Sequence, residues 1–105
     1  MEIVETFVFT RKVNDLLDDD SYRQLQLELA DRPEKGAVIP GSGGLRKVRW
    51  EASGRGKRGG TRVIYYWLRE RKLILMLLIY AKADREDLSR DQLKVLRRVV
   101  EEELS

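Results

Sequence analysis

Cysteine and histidine are both absent from the 105 residues. The first absence excludes disulfides and thiolate metal sites; the second removes the usual zinc ligand and the commonest general base. Any catalysis must therefore use Lys, Arg, Tyr, Ser, Thr or carboxylate groups. Long apolar stretches are missing too. The longest, Leu73 to Ala81, is bounded by Lys72 and Lys82 and is too short to span a bilayer as a helix. The N-terminal stretch MEIVETFVF is acidic, with an apolar part too short for a signal peptide. These features predict a soluble cytoplasmic protein with no membrane partner. The length leaves room for one core, hence a single domain over residues 1–105. An ordinary apolar fraction of 42% beside a high charged fraction of 37% fits a small domain with much surface and little interior.

What the chain does have is a concentrated cationic segment. Seven basic residues (Arg46, Lys47, Arg49, Arg55, Lys57, Arg58 and Arg62) meet a single acid, Glu51, between positions 46 and 62. That segment carries +6 in a chain whose total is +3, so the remainder sums to −3. With Trp50, Tyr65, Tyr66 and Trp67 beside it, this charge dipole has the character of a polyanion-binding face, and RNA is the leading partner.

Along the chain, Ile3 to Phe9 is rich in β-branched and aromatic residues and predicts a first strand, after which Thr10 caps a short helix carrying Val13, Leu16 and Leu17. Asp18-Asp19-Asp20-Ser21 restarts a helix, with Tyr22, Leu25 and Leu29 at helical spacing and Pro33 and Gly36 ending it. The three aspartates lack the interleaved spacing of a calcium loop and are read as a solvated helix start. A turn at Pro40 to Gly44 leads into a second strand, Leu45 to Trp50, where Lys47 and Arg49 share one face and Val48 and Trp50 the other. Gly54, Gly56, Gly59 and Gly60 let the following loop bring its backbone close to a phosphate, yet the spacing is not that of a nucleotide P-loop. Thr61 to Leu68 predicts a third strand, with Arg62, Ile64 and Tyr66 on one face. Arg69 to Lys72 is a tight connection into a fourth strand, Leu73 to Ala81, whose nearly continuous apolar text predicts a central position covered on both faces. Ser89 and Gln92 form a capping box for a C-terminal helix bearing Leu93, Leu96, Val100 and Leu104. The expected architecture is α+β: a mostly antiparallel four-stranded sheet in the order β-α-α-β-β-β-α, with its helices on one face. No metal or cofactor is expected.

The segments GGLRKVRW, GRGKRGGTRVIYYW and IYAKADREDLS, in this order and at these separations, resemble the RelE/HigB superfamily of type II toxins, specifically its HigB-like branch. The resemblance runs over nearly the whole chain. It implies the RelE-like fold and a ribosome-dependent mRNA endoribonuclease, an mRNA interferase that inhibits translation by cutting messenger RNA in the ribosomal A site through attack of a ribose 2′-hydroxyl. It further implies three partners: the ribosome, mRNA and a cognate helix-turn-helix antitoxin. Carried over by position, it assigns catalytic roles to Arg49, Lys57, Arg62, Lys82 and Asp84. Arg46, Lys47, Arg55, Arg58 and Tyr66 become RNA-binding residues. Arginine suits the phosphate because its planar fork is bidentate, and a lysine crowded by cations gives up its proton more readily.

Members of this branch usually read Lys-Asn-Glu where this chain reads Lys82-Ala83-Asp84. Alanine cannot hydrogen-bond a phosphate or ribose, and Asp84 reaches less far than glutamate, so the departure weakens the expected site. Two other readings stay open on the sequence. One is a ParE-like toxin directed at gyrase, which would not need so dense a basic constellation. The other is an RNA- or ribosome-binding module of the same fold that has lost its chemistry, for which Ala83 is the best argument.

Overall fold

The computed structural model describes residues 1–51, 60–85 and 87–104. Among these residues five strands form one sheet: β1 (Glu2–Glu5), β2 (Ala37–Val38), β3 (Arg46–Trp50), β4 (Thr61–Leu68) and β5 (Leu73–Ala81). Three helices accompany them: α1 (Phe7–Leu16), α2 (Asp19–Asp31) and α3 (Arg90–Leu104). The spatial order is β1-β5-β4-β3-β2, antiparallel throughout except for the parallel pairing of β1 with β5. The α+β class is as expected, with one short strand more than the four read from the sequence.

Each element follows from local chemistry. The first strand stops at Glu5 rather than Phe9 because Thr6 caps a helix there: its Oγ1 accepts from the Phe9 N–H at 3.1 Å and donates to the Leu77 carbonyl at 2.9 Å. With the helix started at Phe7, Phe9, Val13 and Leu16 fall on one buried stripe, and that burial overrides the β propensity of Phe-Val-Phe. Asp18 caps α2, its Oδ1 accepting from the Ser21 N–H at 2.8 Å. The capping box at α3 is closed in both directions, Ser89 N–H to Gln92 Oε1 at 2.8 Å and Gln92 N–H to Ser89 Oγ at 3.1 Å. β4 and β5 turn around a single 3-10 turn at Arg69–Arg71 with Lys72 left-handed at φ 51°.

The helices do not share one face of the sheet. Phe9, Val13, Leu16, Leu25 and Leu29 of α1 and α2 pack with Val48, Val63, Tyr65, Met76 and Ile79 on one side. Leu93 and Val100 of α3 pack with Leu45, Ile64, Leu75 and Leu77 on the other. The reason lies in β5. A strand apolar on both faces needs cover on both, which one helical layer cannot supply, so α3 closes the second face. Between Ile64 and Tyr65 the β4–β5 register shifts by one residue of β5, which keeps both Leu77 and Leu78 on the α3 side.

Two hydrogen bonds lock the loop before β2. The buried Tyr65 hydroxyl donates to the Pro33 carbonyl at 2.6 Å and accepts from the Gly36 N–H at 2.8 Å. A Cβ at Gly36 would stand 2.8 Å from the Tyr65 ring, so glycine is what lets this loop close on the phenol.

Candidate nucleic-acid interface

One end of the sheet collects the chemistry. The end of β3, the start of β4 and the end of β5 coincide there, with Trp50 paired to Thr61 and Thr61 to Ala81. Gly60 makes the approach possible: its φ is +65°, and a Cβ would lie 2.7 Å from Glu51 Cγ and 3.0 Å from the Trp50 carbonyl. Its own carbonyl accepts from the Lys82 N–H at 3.1 Å, which joins the start of β4 to the turn after β5.

One residue inward, Arg49, Arg62 and Tyr80 occupy a single transverse row on the α3 side. Arg62 is 6% exposed and donates from Nη1 to the Thr61 carbonyl at 3.3 Å, whereas Arg49 is exposed. Two residues further along β3 on the same face stands Lys47, whose ammonium meets Asp87 Oδ1 at 3.0 Å. The Arg85 guanidinium lies over the Tyr80 ring at 5.6 Å. Tyr80 itself is buried, and its hydroxyl has no hydrogen-bond partner among the described residues. Burial pushes the Tyr80 phenol above its ordinary value; Lys47, Arg62 and Arg85 pull it back down and Asp87 adds to the rise. The phenol therefore sits within electrostatic reach of three cations and one carboxylate as a neutral group.

Lys82 and Asp84 are exposed in the turn that follows β5, where Asp84 N–H donates to the Ala81 carbonyl at 3.0 Å. That turn adjoins the Arg49–Arg62 row through Thr61 and Ala81. Ala83, also exposed, lies between them. Arg55, Lys57 and Arg58 lie outside the described residues.

Two of the residues read as RNA contacts stand apart. Arg46 is on the opposite face, opposite Tyr65, and its guanidinium donates to the Gly36 carbonyl at 2.7 Å and the Glu34 carbonyl at 3.2 Å while lying 5.9 Å from the Trp67 ring. It braces the loop before β2. Tyr66 is four residues along β4 from Arg62, a separation of about 13 Å. The Arg97 guanidinium of α3 covers its ring at 5.1 Å. Sequence reasoning left out Tyr80 and Asp87, which the fold brings to Arg62 and Lys47. The Tyr80-x-Lys82 ending of an apolar strand was the signal available for the first; nothing in the text marked the second.

Arg49 and Arg62 are thus paired in register at the strand end that adjoins the exposed Lys82, and the Tyr80 phenol, without a hydrogen-bond partner among the described residues, is paired across the strands with Arg62. No three His, Cys, Asp or Glu residues are grouped to hold a metal among the described residues. No helix among them is long and apolar enough to cross a membrane.

The family model for the RelE toxin of the RelE/RelB toxin–antitoxin system matches residues 5–104. Among solved structures, the chain is similar to a double arginine-to-alanine mutant of the E. coli toxin RelE in the free state, at a TM-score of 0.58 and 16% sequence identity. That match covers 81% of this chain and 86% of the other. At such identity the likeness concerns the fold.

Proposed function

The chain belongs to the RelE toxin family, and from that membership we propose that it is a ribosome-dependent mRNA endoribonuclease of the cytoplasm, restrained by a cognate helix-turn-helix antitoxin. The observation that carries this reading is the Arg49–Arg62 pairing at the strand end shared with the Lys82–Asp84 turn. A gyrase-directed protein surface has no need of two arginines held in register beside a third cation.

In the proposed step the ribose 2′-oxygen attacks the adjacent phosphorus in line. The bond from phosphorus to the 5′-oxygen breaks, leaving a 2′,3′-cyclic phosphate and a 5′-hydroxyl. Negative charge grows on the phosphate oxygens and on the leaving oxygen. Arg62, fixed by burial and by its bond to Thr61, offers a preplaced donor to that charge, with Arg49 beside it. Removing one such donor costs about 3 to 4 kcal/mol of barrier. The proton leaving the 2′-hydroxyl and the proton reaching the 5′-oxygen are assigned to Lys82 and Lys57, with Asp84 orienting the first. Lys47, Arg55 and Arg58 supply sequence-independent attraction to the RNA backbone.

Primer extension on a message translated by purified ribosomes tests the reading. Cuts within A-site codons that vanish in Arg62→Ala support it. RNA retained but uncut by both proteins would support a binding module, and inhibition of supercoiling without cuts a gyrase-directed toxin.

A further inference from the structure

The segment between β5 and α3 reaches back onto the face of the sheet that carries Arg49 and Arg62. Two of its side chains make the contact. Arg85 lays its guanidinium over the Tyr80 ring at 5.6 Å, and the Asp87 carboxylate meets the Lys47 ammonium at 3.0 Å. The second contact sets an acid on a cation that the proposed reaction assigns to the RNA backbone.

Resting on the ribonuclease reading, we propose that Asp87 is a built-in stand-in for an RNA phosphate: its carboxylate occupies Lys47 in the free protein, and the phosphate next to the one held by Arg49 and Arg62 displaces it on binding. The exchange is like for like. An ammonium offers only donors, and carboxylate and phosphate both answer it with anionic oxygen acceptors. The position fits as well. Lys47 lies two residues from Arg49 on the same face of β3, about 7 Å along the strand, within the reach of one nucleotide.

Exposure makes the pair exchangeable. The Asp87 side chain is 81% exposed and that of Lys47 31%, so water screens their attraction. A pair of this kind shifts an equilibrium by about fivefold at most, and a phosphate can take its place. Anchoring keeps the carboxylate close as a competitor. Arg85 on Tyr80 holds the segment before Asp87, and the closed Ser89–Gln92 box fixes the helix start after it. A competitor tethered on both sides acts at an effective concentration that dilution does not change. Asp87 is therefore a restraint on RNA binding carried by the chain itself. Because a phosphate contact carries no sequence information, the restraint falls on every RNA strand alike.

The test uses the full chain and a fluorescently labelled 2′-O-methyl tetra-uridine, whose blocked 2′-oxygen lets binding be read without cleavage. Asp87→Asn keeps the shape of an exposed side chain and removes its charge. It is expected to bind the probe about threefold to fivefold more tightly than the unaltered chain at low salt. In a Lys47→Met background the same change should gain less than about 1.5-fold, since the cation that Asp87 occupies is gone. Asp91→Asn removes an exposed acid from the first turn of α3 and serves as the control for general repulsion. It should leave the affinity within about 1.5-fold. Equal gains from Asp87→Asn with and without Lys47, or an equal gain from Asp91→Asn, would overturn the inference, because the carboxylate would then act by general repulsion. No gain in Asp87→Asn, while Arg62→Ala weakens binding, would also overturn it and leave the ribonuclease reading intact. A gain that depends on Lys47, with no effect of Arg62→Ala, would support the stand-in and remove the arginine clamp. Absence of binding by every variant overturns both.

Discussion

Arg49 and Arg62 are direct partners in the antiparallel register of β3 and β4, two like charges set side by side on one face of the sheet. Like charges directly opposed on neighbouring strands are an unfavourable cross-strand pair. Replacing Arg49 with threonine should therefore stabilise the protein by about 0.2 to 1 kcal/mol. Urea denaturation reads the gain, and translation assays should show weaker cleavage by the same variant. A variant that is no more stable would mean that the pair carries no strain.

The loop before β2 depends on a single phenol. Tyr65→Phe removes the bonds to Pro33 and Gly36 without changing the ring, and leaves two buried backbone groups short of a partner. The expected loss is about 1 to 3 kcal/mol in urea denaturation. Full retention of stability would show that the loop is held by other contacts.

Thr6 joins the first helix to the central strand. Thr6→Val keeps the shape of the side chain but loses both the helix cap and the bond to Leu77. Loss of the cap predicts a fall of about 1 to 2 kcal/mol. Thr6→Ser should restore most of it, since the hydroxyl alone makes both bonds.

Much of this fold was legible as text. Thr61–Leu68 and Leu73–Ala81 have the bounds that their composition and connecting turn predict, and β3 begins one residue later than expected. The helix start at Asp18 to Ser21 and the Ser89–Gln92 box are local signals and appear where the spacing places them. The start of α1 was hidden because Phe7, Val8 and Phe9 favour strand, and only burial of Phe9 against the sheet decides otherwise. β2 is two exposed residues with no pattern to detect. The second helical layer was implied by the apolar text of β5, yet which helix would cover it depends on tertiary packing. For the site, alternation within β3 and β4 brought out Lys47, Arg49 and Arg62. The meeting of Arg62 with Tyr80, and of Lys47 with Asp87, depends on register across strands and on the path into α3, which no single segment encodes.

Alkaline pH should destabilise the protein. Burial raises the Tyr22, Tyr65 and Tyr80 phenols above the ordinary value of 10.0, and Tyr22 is raised further by its hydrogen bond to Glu5. The folded state keeps these protons when the unfolded chain releases them. Their contribution is thus fully present below the unfolded value and is lost as pH rises toward the folded ones. Urea midpoints should be level to about pH 9 and fall by about pH 11. The decline should be smaller in Tyr22→Phe, measured against that variant's own neutral-pH midpoint.

The ribosomal cleavage assay comparing the unaltered chain with Arg62→Ala tests the central claim most directly. The account predicts cuts within A-site codons by the unaltered chain and a rate lower by about 100-fold to 1,000-fold in the variant, with ribosome binding retained. Equal cleavage by both proteins would contradict it, because the arginine row would then have no part in the chemistry.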